Sequence, residues 1–293
     1  MKNLAGKLAL VTGAGHGLGQ QLCRDLAAAG AQVLVTDRDL DRVAETLELI
    51  HNDGFAASGY SMDVTDLNEI TLTKNRIHAE HGPIDVLVNN AGVVFGGNFL
   101  DVPMERHLAT YQINTIGPVA VTHAFLPDLI EKSDAHLVNI SSASALIPLA
   151  FGSTYASSKW AVLGFTRSIR EELRATGNRH VMTTAVCPSY INTGMFEGVK
   201  TPFLCGRLTP EKISNLVMKA IKKNTATVLA PWLVKLIPLG KGTLPRFMFR
   251  ALLRFLGVST GMVSWCGHET DEQKTQKKKP QRALEWARKV ASL

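Results

Sequence analysis

Tyr155 and Lys159 stand four residues apart in the run Ser153-Thr-Tyr-Ala-Ser-Ser-Lys159, a spacing that places two side chains on one helix face. An ammonium beside a phenol favours the phenolate, so the pair predicts a tyrosine pKa below its reference of about 10. A phenol tuned in that way passes a proton to or from an alcohol oxygen. Far upstream, Thr12-Gly13-Ala14-Gly15-His16-Gly17-Leu18-Gly19 follows a strand-like run and opens a helical one. Glycines at such a turn let the backbone approach a pyrophosphate, whose charge the helix N-terminus stabilises. A dinucleotide held there would be placed to exchange hydride with the carbon whose oxygen Tyr155 serves. Either motif alone is common: Tyr-x-x-x-Lys usually marks a solvated helix pair, and a glycine run any tight turn. Their order and context carry the reading.

The elements that must position these residues alternate. Strand candidates are Leu8–Thr12, Gln32–Thr36, Ala56–Met62, Val86–Asn89, His136–Ile140 and Val181–Cys187. Between them lie helical patterns at Leu18–Ala29, Leu40–His51, Asp66–His81, within Met104–Leu129, and at Tyr155–Ala175, the last carrying the Tyr-Lys pair. This alternation predicts an α/β fold, a Rossmann-type doubly wound parallel sheet with helices on both faces. The second strand ends Thr36-Asp37-Arg38. A carboxylate there accepts hydrogen bonds from ribose hydroxyls and repels a 2′-phosphate, which favours NAD over NADP, while Arg38 is a possible partner for that phosphate.

Composition narrows the classes. Apolar content of 45% with 19% charged residues describes a globular chain with a sizeable core. The four cysteines, Cys23, Cys187, Cys205 and Cys266, lack Cys-x-x-Cys spacing and read as free thiols in a reducing, cytoplasmic setting. The histidines are dispersed, so no metal site is expected. The residues before the first strand read as neither a signal peptide nor a spanning segment, so none is expected there. The net charge of +7 is concentrated late in the chain, without a recognition motif for nucleic acid.

With Asp63-Val64, Asn89-Asn90-Ala91-Gly92, Asn114, Asn139-Ile140-Ser141-Ser142 and Tyr155-x-x-x-Lys159 in order after the glycine turn, the chain resembles the classical short-chain dehydrogenase/reductases from Leu4 to about Thr193. The resemblance implies that Tyr155 is the acid/base and that Ser142, rather than Ser141, binds the substrate oxygen. It implies that Lys159 binds the nicotinamide ribose and tunes Tyr155, and that Asn114 holds a water linking Lys159 to solvent. Asp63 would contact the adenine amino group, with Val64 against the ring. Gly13, Gly15, His16, Gly17, Leu18, Gly19, Asp37, Arg38, Asn90, Ala91, Gly92, Pro188, Ile191 and Thr193 complete the expected cofactor site. Ser189 stands where the family often has glycine.

Gly-Ala-Gly-His-Gly, Asn192-Thr-Gly-Met-Phe196 and a long apolar, basic C-terminal segment are similar to the retinol dehydrogenase and 17-beta-hydroxysteroid dehydrogenase-like branch. That narrower resemblance implies an apolar alcohol or carbonyl substrate: a retinoid, a steroid or a long-chain alcohol. An NADPH-dependent carbonyl or 3-oxoacyl reductase and a non-catalytic nucleotide sensor are the rival readings. It also implies a homodimer or homotetramer through the helices around Met104–Leu129 and Tyr155–Ala175.

The organisation expected is a catalytic domain over 1–225, an apolar basic helical extension over 226–270 and a polar tail over 271–293, with a short helix near Gln281–Val290. Thr209 reads as an N-cap and Pro210 as the first residue of a helix to Lys223. Residues 228–257 hold Lys235, Lys241, Arg246, Arg250 and Arg254 and no acid. Pro245–Leu256 reads as an amphipathic helix that either touches the cytoplasmic face of a membrane or packs over the cleft or a second subunit. Thr193–Arg207 is the expected substrate lid. Val94, Phe95, Leu146, Ile147, Leu149, Phe151, Tyr190, Met195 and Phe196 are candidate pocket walls.

Overall fold

In the computed structural model, which describes residues 1, 3–201, 206–258 and 261–267, seven parallel strands form one sheet in the order β3-β2-β1-β4-β5-β6-β7. The strands are β1 (Leu8–Thr12), β2 (Gln32–Asp37), β3 (Ala57–Ser61), β4 (Val86–Asn89), β5 (Ala135–Ile140), β6 (Val181–Pro188) and β7 (Thr227–Ala230). Register and side-chain alternation build two different layers. Leu10, Leu34, Leu87 and Leu137 lie in register across neighbouring strands and face one side. Val11, Val35, Val88 and Val138 do the same one residue later and face the other. All eight are fully buried, which is why the central strands read as apolar runs rather than alternating ones.

The valine face is covered by α1 (Gly17–Ala28), α2 (Leu40–Asn52) and α7 (Pro210–Lys223), the leucine face by α3 (Leu67–His81), α5 (Gly117–Glu131) and α6 (Ser153–Ala175). The helix starts follow their caps. Asp39 accepts from the Asp41 and Arg42 amides, Asp66 from those of Asn68 and Glu69, and Thr209 from that of Lys212. Asn224, left-handed at φ 54°, ends α7.

Two features depart from the expected organisation. The helical pattern over Met104–Leu129 is two helices, α4 (Met104–Tyr111) and α5, joined by a π-helical turn at Gln112–Ile116. The boundary expected at 225 falls just before β7, which pairs with β6 and completes the sheet. Four residues assigned to the extension therefore belong to the catalytic sheet. Beyond β7 come α8 (Leu236–Thr243) and α9 (Arg246–Phe255) and a short 3-10 turn at Gly261–Ser264. The polar tail and its expected helix lie outside the described residues. Among the described residues no helix is long and apolar enough to cross a membrane.

Candidate active site

The strand order turns outward in both directions from β1 and β4, and a crevice opens at their C-terminal ends. It holds a cavity of about 440 Å³. Gly13, His16, Gly17, Leu18, Asp37, Arg38, Asp63, Val64, Asn90, Ala91, Gly92, Tyr155, Lys159, Pro188, Ile191 and Thr193 line it. Among the described residues no group of His, Cys, Asp or Glu is arranged to hold a metal ion.

The glycine turn is stitched to the end of β4. Asn90 Nδ2 donates to the carbonyls of Thr12 and Gly13 at 3.0 and 2.9 Å, and Thr12 Oγ1 accepts from the amides of Asn90 and Ala91, both at 3.1 Å. Gly13 and Gly17 adopt φ 61° and 59°, where an L side chain is strained. A Cβ on Gly13 would lie 2.6 Å from Ala91 Cα, and one on Gly17 would lie 3.0 Å from Thr193 Cγ2. Gly15 and Gly19, expected to line the site, stand behind it. The Gly15 amide donates to Asp37 Oδ2 at 3.0 Å, and Gly19 packs under Gly13 and Asn90. Two positive side chains, Arg38 and Arg42, share the Asp37 end of the cavity. Arg42 carries no motif. Only the Asp39 cap, which starts α2 beside Asp37, signals that it points there.

At the other end, Tyr155 and Lys159 are both buried on the first turns of α6. Lys159 Nζ donates to the Ile140 carbonyl at 3.0 Å and lies 5.9 Å from the Tyr155 ring centre. Burial pushes Lys159 down to about 8. Burial also pushes Tyr155 up to about 12, against the lowering influence of a hydrogen bond with Ser142. This reverses the expectation of a depressed tyrosine: desolvation, with a smaller raising effect of Cys187, outweighs the Ser142 hydrogen bond. Ser142 does not itself line the cavity but meets the Tyr155 hydroxyl. Ser141 Oγ is turned to donate to the Lys159 carbonyl at 2.8 Å.

Asn114, expected to hold a water, spends its side chain on backbone. Its Oδ1 accepts from the Val93 amide at 2.8 Å, and its Nδ2 donates to the Val93 carbonyl at 2.9 Å and to Ser158 Oγ at 3.1 Å. It is fully buried on the π turn and does not line the cavity. Gly92 makes room for it: a Cβ there would sit 3.2 Å from Asn114 Oδ1 and 3.4 Å from Lys159 Nζ. Asp63 Oδ1 is held by the Thr65 amide and hydroxyl at 2.8 and 2.7 Å. Ser189 keeps a negative φ, and its amide donates to the Ala230 carbonyl at 2.8 Å, so β7 supports the position where the family often has glycine.

Beside Tyr155 the wall turns apolar. Val94, Leu149, Phe196, Val199 and Met262 pack with Phe151, Tyr190, Met195 and Trp265 around the Tyr155 ring. Phe196 meets the Tyr155 ring edge-on at 5.7 Å. Leu146, an expected wall residue, packs instead against Val234 and Cys187. The described part of the expected lid is tied to the far C-terminal segment. Trp265 Nε1 donates to the Met195 carbonyl at 3.1 Å, the Cys266 amide to that of Glu197 at 3.0 Å, and the Lys200 amide to that of Gly261 at 3.1 Å. Residues 202–205 lie outside the described residues. Sequence reasoning did not find Met262 and Trp265, which pack in one cluster with Met195 and Phe196 of the cavity wall, because nothing local marks that distant stretch as their support.

The residues present fit a nicotinamide dinucleotide. A glycine cradle that a Cβ would fill lies between the Asp37 carboxylate and a buried lysine-tyrosine pair. Comparison with known proteins agrees. The chain matches the short chain dehydrogenase family over residues 7–202. It is 35% identical over 260 residues to epidermal retinol dehydrogenase 2 of Mus musculus, covering 88% of this chain and 84% of that protein. It is 29% identical over 257 residues to estradiol 17-beta-dehydrogenase 11 of Rattus norvegicus, covering 88% and 86%, and 34% identical over 232 residues to the ketoacyl reductase HetN of a Nostoc species, covering 78% and 80%. A Burkholderia phymatum short-chain dehydrogenase/reductase solved with NAD shares the fold at a TM-score of 0.76 and 23% identity, over 83% of this chain and 95% of that one. A metagenomic short-chain oxidoreductase solved with NADP matches at 0.65 and 30%, over 77% and 95%. The chain therefore belongs to the short-chain dehydrogenase/reductase family and is an NAD(P)-dependent oxidoreductase similar to the retinol and 17-beta-hydroxysteroid dehydrogenases.

Proposed function

We propose that the protein interconverts an apolar alcohol and its carbonyl compound with NAD, the substrate being a retinoid, a steroid or a long-chain alcohol. The observation that carries this reading is the apolar wall around the Tyr155 ring. The charged residues that line the cavity lie elsewhere: Asp37, Arg38, Arg42 and Asp63 at the nucleotide end and Lys159 behind the tyrosine. A substrate that leaves water for such a wall gains from its hydrocarbon, about 25 cal/mol for each Å² buried.

The bound dinucleotide supplies the hydride acceptor, or in reverse the donor, at its nicotinamide ring. In the oxidising direction Tyr155 takes the proton from the alcohol oxygen, and in the reducing direction it returns one. Ser142 hydrogen-bonds the Tyr155 hydroxyl and favours its ionised form, which keeps a hydroxyl beside the position of the substrate oxygen. Lys159 places a buried cation behind the ring and holds the nicotinamide ribose. Asn114 fixes the Val93 segment, which lines the cavity.

Asp37 supports NAD as the cofactor. Arg38 and Arg42 at the same end, together with the similarity to a ketoacyl reductase, support the second reading, an NADPH-dependent carbonyl or 3-oxoacyl reductase. Assembly into a dimer or tetramer is supported by exposed Leu108, Tyr111, Ile116, Val119 and Trp160 on α4, the π turn, α5 and α6.

The test is absorbance at the reduced-nicotinamide band, with NAD and NADP, against retinol, hydroxysteroids, long-chain secondary alcohols and 3-oxoacyl compounds. Turnover of an apolar alcohol with NAD is expected. Tyr155→Phe should lose about 10²–10⁴ of it while still binding the dinucleotide. Turnover confined to 3-oxoacyl substrates with NADPH would establish the second reading instead. A Tyr155→Phe protein with unchanged turnover would remove the mechanism.

A further inference from the structure

Helix α9 divides its ten residues among three faces. At 100° per residue, Phe249 and Leu253 share one side. Leu253 is buried, and the Phe249 ring lies against Gly240 of α8. Arg246, Arg250 and Arg254 form a stripe alongside. The rest of the circumference, through Phe247, Ala251, Phe255, Met248 and Leu252, points away from the protein. Phe247 is 73% exposed, Phe255 81%, Met248 46% and Leu252 42%. The apolar residues that look like one face in the sequence are thus two, and among the described residues none covers the outer one. The preceding elements add exposed Trp232, Leu236 and Leu239. From 226 to 267 the chain has five cations and no acid.

We propose that α9 seats this outer face in an anionic lipid surface, with Arg246, Arg250 and Arg254 among the head groups. Charge complementarity selects the occupant. A helix with exposed phenylalanines, flanking arginines and no acid gains both burial of apolar area and attraction to anionic lipid. A second copy of the chain would present the same positive stripe to its partner and be repelled. The placement also serves the site. Gly261 begins the wall segment that carries Met262 and Trp265, and it follows Phe255 by six residues, a span of at most about 20 Å. A lipid surface holding α9 therefore lies within that reach of the apolar wall beside Tyr155. Delivery of a substrate from that surface rests on the proposed lipid-alcohol activity; docking of α9 does not.

The experiment has two arms, both with the full chain. In the first, protein is floated with phosphatidylcholine vesicles, with or without phosphatidylserine. Binding to the phosphatidylserine vesicles that weakens with salt is expected. Arg250→Gln and Arg254→Gln should each reduce it about fivefold, and Phe247→Ser with Phe255→Ser by about tenfold or more. Absence of binding at low salt, or equal binding to both vesicles, would overturn the proposal. So would an α9 variant that halves the molecular mass in sedimentation, since a second copy would then be the occupant. In the second arm, turnover of a vesicle-borne long-chain alcohol is compared with that of a short soluble secondary alcohol. The α9 variants should lose the first and keep the second; equal loss of both would overturn delivery from the surface. If neither alcohol reacts while vesicle binding persists, the docking stands and the proposed activity fails.

Discussion

At the scale of single residues, the sequence marks the candidate reacting groups but not their ionisation. Tyr155 and Lys159 are legible because a four-residue spacing on a helix is a local fact. The shift of Tyr155 is not legible, because it depends on burial by Phe196, Met262 and other residues far along the chain. With Tyr155 pushed up to about 12, the resting tyrosine is protonated at neutral pH, poised to give a proton rather than take one. Oxidation needs the ionised form, so kcat/KM for the alcohol should rise with pH through the neutral and alkaline range, while that for carbonyl reduction should not. Initial rates in both directions from pH 6 to 10 check this, and a flat oxidation profile would show that Tyr155 is not the proton acceptor. Asp37 is a second residue-scale case. Its carboxylate is held by the Gly15 and Asp39 amides at 3.0 and 3.2 Å, and Arg38 and Arg42 flank the same space. Asp37→Ser should move the NAD-to-NADP ratio of kcat/KM toward NADP by about 10- to 100-fold, the worth of a charged hydrogen-bonding group.

At the scale of elements, six of the seven strands are readable from runs such as Leu8–Thr12 and Val86–Asn89, because strands buried on both faces become short apolar runs bounded by turn residues. β7 is not. Thr227–Ala230 opens an apolar stretch that continues to 257, so nothing in composition separates the sheet's edge from the helices after it. The π turn is hidden for a different reason: the apolar pattern of Met104–Leu129 runs through it, and only the pairing of Asn114 with Val93 gives it a purpose. The first strand–turn–helix unit offers a direct test. A methyl group on Gly19 would press on the Gly13 carbonyl and sit 2.5 Å from Asn90 Nδ2. Gly19→Ala should therefore cost about 1–3 kcal/mol of stability, as overpacking does, and weaken dinucleotide binding more than alcohol binding. Chemical denaturation and a dinucleotide titration measure the two effects.

At the scale of the whole molecule, the sheet contains an acid-sensitive point. His136 is fully buried in β5, and burial pushes its pKa down to about 3, with the Met1 ammonium and Arg170 adding to the effect. Thr184 donates its own hydroxyl to the Thr225 carbonyl, so His136 Nε2 is the donor to Thr184 Oγ1, and the ring is neutral. The unfolded chain binds this proton at about 6.5 and the folded chain does not until about 3. Stability is then full above about 6.5 and is lost as pH falls toward 3, at up to about 1.4 kcal/mol per pH unit from this residue. Denaturation midpoints of the wild type and His136→Leu between pH 7 and 4 should diverge, the variant falling less steeply.

The wall of the reaction chamber is built from opposite ends of translation. The glycine turn, Asp37, Asn90 and the Tyr155–Lys159 pair are all present once α6 has been made, whereas Met262 and Trp265 are among the last described residues to be joined. Chains fold from the N-terminus as they emerge. A ribosome-bound chain therefore makes most of its nucleotide cradle before the residues that complete the apolar packing beside Tyr155. The packing beside the tyrosine is complete only when that late segment has emerged.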